Sequence, residues 1–479
     1  MLLRQEPGPS AQKVARAIAH IPKEAEERAM SLRLARFALL GGIIPALLLG
    51  CRSSQKAGHE EARHEVEVAL FQGGYGIDFF ERAARAYETI KPGVTIKVWG
   101  NPRIWEQLRP RFVAGNPPDL TWPGWGMDHW PLVYEGQLMD LNAALDGPPF
   151  EGSGTWRETF EPSLLALGAY EGKQYMLPYF FSVHGWWYNR PLFEKHGWKP
   201  PRTWSELLSL CERIKAAGIA PITYQGKYPY YAIHGFLLPW AASAGGIKAV
   251  DDAQNLVPGA WKSPAMLQAA RMIQTLRDRG FFQSGANAMS HTEAQMEFLS
   301  GRAAFVPCGT WLHSEMREAL PPKEKFEMVY MQPPVLDDGK DPSNICIGIE
   351  PWVVPARAKY RDIAIDFFKY LTTPDNARRF IEEKGTLMAV KGTEGAQYPP
   401  YLKPAAEAFK KSSAVWSVEY IQWYPRLGTE SQNAMAALLS GKATPEEFCE
   451  RVERVAEEIR RDPRVKRHTV SRAPTGSPS

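Results

Sequence analysis

Residues 64–99 carry three patterns in succession that leave few folds open. His64 to Phe71 (HEVEVALF) alternates polar and apolar residues with the period of a strand. Asp78 to Thr89 places Phe79, Phe80, Ala83, Ala84 and Tyr87 on one helical face, with Asp78 and Glu81 spaced as an N-cap and its reciprocal partner. Val94 to Trp99 (VTIKVW) reads as the next strand. Strand, helix, strand at these lengths is a βαβ unit, so a parallel sheet covered by helices is expected and the fold class is α/β. A second helix after Trp105 ends at Pro117-Pro118-Asp119-Leu120, which turns into a short strand. Further helices are expected over 205–217, 263–279, 292–299, 360–371 and 444–460, and strands over 303–306 and 327–332.

Ahead of this unit, Phe37 to Gly50 (FALLGGIIPALLLG) holds no charge, and Arg33 and Arg36 precede it. A positive flank, a short apolar core and a small residue before the cut make a secretory signal. The run is too short for a comfortable membrane span. Leu48-Leu49-Gly50-Cys51 resembles the bacterial lipobox, in which the cysteine becomes the lipidated first residue of the exported protein. Residues 1–50 are thus expected to be leader and signal peptide, with Met30 the better-placed start, and 51–63 a polar tether from a lipid on Cys51. Without residues 1–50 the chain carries 50 Lys/Arg against 49 Asp/Glu, a net charge of +1. A near-neutral body gives no electrostatic reason to expect nucleic acid.

The remaining cysteines, Cys211, Cys308, Cys346 and Cys449, are scattered without a CxxC pair, and spacing cannot choose between disulfides and free thiols. Tryptophan is abundant, 16 in all with five between Trp99 and Trp130, which points to flat ligands with apolar faces such as sugar rings as well as to core. His59 and His64 are five apart, whereas HExxH needs four to face one metal, so no metal site is expected. Gly73-Gly74-Tyr75-Gly76 lacks the spacing of a phosphate loop and is read as a glycine loop open to a polar ligand or as a tight turn. No GxSxG is present, and Glu135, Asp140 and Glu161 show no pairing of the glycosidase kind.

The passage Gly172-Lys173-Gln174-Tyr175-Met176-Leu177-Pro178 continues through Tyr188-Asn189, Leu192-Phe193, Gly197 and Thr203-Trp204-Ser205-Glu206-Leu207. With Gly115-Asn116-Pro117-Pro118-Asp119, Phe298 to Phe305 leading to Gly309-Thr310-Trp311, Ala364 to Leu371 and Leu439 to Glu446, it resembles the family 1 extracellular solute-binding proteins of ABC importers, mostly carbohydrate receptors. The resemblance spans essentially all of residues 66–460. It implies two α/β lobes joined by three crossing strands, near Leu177–His184, Ile345–Glu350 and Leu387–Lys391, with ligand held in the cleft. Lobe 1 would be 64–179 plus 348–388, lobe 2 would be 184–345 plus 391–461, and 462–479 would be a disordered tail. Carried onto this chain, the resemblance implies Trp122, Trp125, Trp311, Trp186, Trp352, Trp416 and Trp423 as rings against a sugar. Asp119, Glu350 and Asn189 would take its hydroxyls. Cys308-Gly309-Thr310-Trp311-Leu312-His313-Ser314-Glu315-Met316 further resembles receptors for N-acetylglucosamine and chitobiose. The implied protein is a monomeric, lipid-anchored carbohydrate receptor serving ABC permease subunits, with no cofactor, no metal and no catalytic residue. A secreted glycoside hydrolase, and a receptor for a non-sugar ligand such as glycerol phosphate, are the alternatives.

Overall fold

The opening unit folds as its pattern dictates. In the computed structural model, which describes residues 64–124, 127 and 129–470, strand β1 (His64–Phe71) buries Val66, Val68, Ala69 and Leu70. β1 pairs in parallel with β2 (Val94–Asn101) along its whole length, His64 opposite Val94 and Phe71 opposite Asn101. On its other side lies β3 (Leu120–Trp122), also parallel, giving a sheet of order β2-β1-β3. The helix between, Asp78–Ile90, buries all five of its expected apolar residues. Its cap differs from expectation: Ile77 stands at the N-cap and no side chain caps the helix. Asp78 is instead drawn into ion pairs with Arg82, at 2.9 Å, and with the buried Lys384.

The second sheet is organised by one long strand, β4 (Leu177–Asn189), every residue of which is buried except Tyr188. β5 (Ala220–Ile222) pairs in parallel with β6 (Ala303–Gly309), which runs antiparallel to the second half of β4 together with β7 (Met328–Met331). The first half of β4 pairs antiparallel with β8 (Ile345–Trp352) and β9 (Leu387–Met388), and β10 (Val415–Ser417) adds in parallel to β8. The three segments read from sequence as crossings therefore lie side by side. A strand buried on both faces must be apolar throughout, which is why β4 reads as LPYFFSVHGWWYN rather than as an alternation.

Two separate cores flank this strand bundle, so the fold is a two-lobed α/β arrangement. One packs β1 and β3 against the helices over Asp78–Ile90, Arg361–Leu371 and Pro374–Lys384, through Phe80, Trp122, Tyr179, Trp352, Phe368 and Phe380. The other gathers Trp186, Trp240, Trp261, Phe305, Tyr420 and Val452 around the helices over Pro264–Asp278, Pro425–Leu439 and Pro445–Arg461. The last of these helices begins with a capping box, Thr444 accepting from Glu447 N while Glu447 reaches back. Cys211, Cys308, Cys346 and Cys449 are free and buried. No helix among the described residues is long and apolar enough to cross a membrane. Cys51, the signal segment, the whole tether and Trp125 lie outside the described residues.

In residues 462–470, expected to be tail, most side chains are exposed but His468 is buried against the body. The His468 ring is 7 % exposed, stacked on Trp423 with centroids 5.0 Å apart and planes at 11°. Aromatic neighbours on several elements give this short segment apolar surface to bury, which composition alone did not reveal.

Candidate functional site

β8 cannot keep regular register with β4. Ile349 faces Phe181, but Pro351 faces Pro178, so an irregularity falls at Glu350. Bulges re-aim side chains, and here the Glu350 carboxyl, 7 % exposed, lines a cavity of about 610 Å³ counted with its solvent. β4 contributes His184 to the same cavity, and a π-type turn over Ile233–Leu237 contributes His234. The remaining polar wall is His129, from the helix over His129–Tyr134, with Ser417 at the end of β10 and Glu419 and Gln422 from the segment that follows it. Leu167, Met176, Ile347 and Ile349 supply apolar surface, and among the described residues no Lys or Arg lines the cavity.

Burial sets the protonation states. It pushes the Glu350 carboxyl up to about 8, only partly offset by the indole of Trp122, whose Nε1–H donates to Oε2 at 3.0 Å. Burial also raises Glu419. His184 is held well below the usual histidine range by burial and then by His234, whose ring stacks on it at 4.7 Å. His234 and His129 are pushed down to about 4 by burial. His234 Nδ1 lies 2.7 Å from the Tyr230 carbonyl, an acceptor, so Nδ1 carries the proton. The cavity thus presents neutral imidazoles, and Glu350 carries its proton at neutral pH. His184 Nε2 is buried with no hydrogen-bond partner among the described residues. Buried polar atoms without partners are rare, and His184 belongs to the cavity wall, which marks a surface suited to a hydrogen-bonding ligand. Among the described residues no three of His, Cys, Asp and Glu converge as metal ligands.

Of the residues singled out from sequence, Glu350 lines this cavity. Trp122 lies beneath it in the core, 1 % exposed. Trp352 is likewise core, stacked on Phe368 at 5.0 Å. Asp119 accepts from the backbone of Glu67 at 2.9 Å and of Tyr360 at 2.7 Å, tying a helix start to β1. Trp186 donates to the Gly235 carbonyl at 2.8 Å inside the other core, and Asn189 bonds the backbone of Lys325 and Glu327. Trp416 donates to Asn344 Oδ1 at 2.7 Å and lines a smaller cavity on the far side of His184. Trp311 is partly buried behind the main cavity, edge-on to His184 at 5.2 Å. Trp423 lies next in the chain to Gln422 and beneath His468. His184, His234, His129, Glu419 and Gln422 were not anticipated. Single polar residues inside or beside apolar runs carry no spacing signature, although His184 closes the first expected crossing.

Residues 82–399 match the model of the bacterial extracellular solute-binding protein family. The chain is 26% identical over 421 residues to the diacetylchitobiose binding protein NgcE of Streptomyces coelicolor, covering 86% of this chain and 88% of that one. It is 24% identical over 393 residues to the multiple sugar-binding protein of Streptococcus mutans, covering 80% and 89%. A solved chitin oligosaccharide binding protein superposes with a TM-score of 0.68 at 21% identity, over 83% of this chain and 98% of that one.

Proposed function

The chain belongs to the bacterial extracellular solute-binding protein family, a family of receptors rather than enzymes, and from that premise we propose that it captures a short amino-sugar oligosaccharide of the chitobiose kind in the cavity around Glu350 and delivers it to an ABC permease. The observation that carries the reading is the cavity wall. Neutral imidazoles, two carboxyls and apolar side chains, with no Lys or Arg among the described residues, suit an uncharged, hydroxyl-rich ligand. That wall also argues against glycerol phosphate, because an anion would meet two carboxyls and, among the described residues, no cation.

In this reading lobe 1 is 64–179 plus 348–388 and lobe 2 is 184–345 plus 391–461. Ligand bridges Glu350 on one side and His234, Ser417 and Glu419 on the other. Only contacts made from both lobes stabilise the closed state over the open one. A lipid on Cys51 keeps the receptor near its permease at raised effective concentration.

Titration calorimetry against mono- and disaccharides is the test. N-acetylglucosamine and its disaccharide should bind, and uronates and sugar phosphates should not; binding of none of the neutral sugars would end the carbohydrate reading. Trp311 does not line the cavity in this structure, so in this reading it reaches the ligand only on closure, and Trp311→Ala is then expected to lose about 1–3 kcal/mol of affinity, the range for an aromatic face under a flat ring. Unchanged affinity would remove Trp311 from the site.

A further inference from the structure

Beyond the end of the last helix at Arg461, the chain turns back across the molecule. Val470 N donates to Asn255 Oδ1 at 2.7 Å, and His468 N donates to the Tyr424 hydroxyl at 3.1 Å. The His468 ring lies flat on Trp423, with Trp130 at 4.8 Å and Tyr170 at 4.9 Å, and its Nε2 meets the Tyr134 hydroxyl. Trp130, Tyr134 and Tyr170 belong to the apolar cluster beside β1, whereas Tyr424 belongs to the other core; Trp423 touches both. The segment is therefore a strap anchored on both sides.

The strap's anchors adjoin the cavity wall along the chain. His129 and Gln422 line the cavity, and the next residues in the chain, Trp130 and Trp423, hold His468. Both indoles beneath the strap have a buried Nε1–H with no hydrogen-bond partner among the described residues. A flat aromatic face with donors to spare is the surface on which a sugar ring stacks and bonds its hydroxyls. His468 covers that surface with a ring of its own.

We propose that residues 462–470 fill what would otherwise be a further sugar subsite, and so limit the length of oligosaccharide that the cleft accepts. The proposal rests on the carbohydrate reading above and adds a length limit to it. Its test is calorimetry with chito-oligosaccharides of one to five units. Three proteins are compared: the full-length exported chain, a chain ending at Arg461, and His468→Ala. Full-length protein should bind the short members and gain nothing, or lose affinity, as units are added. The shortened chain should bind the longer members at least about tenfold tighter than the full-length chain does, the gain from one more stacked ring, with the shortest members little changed. His468→Ala should move the same way by a smaller factor, and it decides the matter if the shortened chain shows no cooperative unfolding transition. An unchanged length profile in a folded variant that still binds short sugars overturns the strap proposal and leaves the carbohydrate reading standing. Binding of no oligosaccharide by any of the three overturns both.

Discussion

Glu350→Gln is expected to weaken sugar binding by about 1.5–3 kcal/mol, roughly 10- to 150-fold, the worth of a hydrogen bond to a charged group. Glutamine keeps the size of the side chain and can still accept from Trp122 Nε1, so loss of affinity reports the carboxylate itself. The pH dependence gives the sharper signature. In the free protein burial raises the Glu350 carboxyl to about 8, so it carries its proton at pH 7. Ligand hydroxyls donate to a carboxylate and therefore favour the ionised form. Binding at pH 7 should release a proton, visible as a dependence of the measured heat on buffer ionisation enthalpy. Affinity should rise as pH climbs toward 8 and level off above it, and Glu350→Gln should abolish both effects. The contribution to folding has the opposite sign. A carboxyl whose folded value is raised above its unfolded value of about 4.3 contributes stability that is full below that value. This is lost as pH rises through about 8. The ligand-free protein should thus lose stability over this window relative to Glu350→Gln. Proton-silent binding would show that Glu350 does not face the ligand.

Why Glu350 could be singled out while its neighbours could not is a matter of what periodicity encodes. The βαβ opening was legible because Val66, Val68, Phe79, Phe80 and Tyr87 recur at the spacings of a strand and a helix face, and the same residues form the core. β4 was legible as a buried strand from its unbroken apolar run. A cleft has no such period. His184 and His234 meet because β4 and a π-type turn bring them together across about fifty positions of chain, and His129 and Glu419 arrive from elements farther apart still. The tryptophans show the converse. Their abundance pointed to ligand stacking, yet Trp122, Trp186 and Trp352 are wholly buried. A large ring with one N–H is equally suited to a core that offers an acceptor, and Glu350 Oε2 and the Gly235 carbonyl are such acceptors for Trp122 and Trp186.

That distinction makes Trp122 the most telling side chain to replace. Its ring packs edge-on to Phe180 at 5.0 Å and Phe71 at 5.6 Å, and parallel to Trp352 at 6.3 Å. Trp122→Ala should therefore destabilise the fold by about 3–5 kcal/mol, the transfer and cavity cost of a buried aromatic, read as a lowered denaturation midpoint with or without sugar. Trp122→Phe separates packing from hydrogen bonding. It keeps most of the ring contacts but removes the N–H that holds Glu350 Oε2 and draws that carboxyl downward. Stability should fall less than in the alanine variant. The pH at which sugar affinity levels off should move upward, because the ionised carboxylate has lost a donor. A Trp122→Ala protein that unfolds like wild type yet no longer binds sugar would place the ring against the ligand instead, as the sequence reading had it.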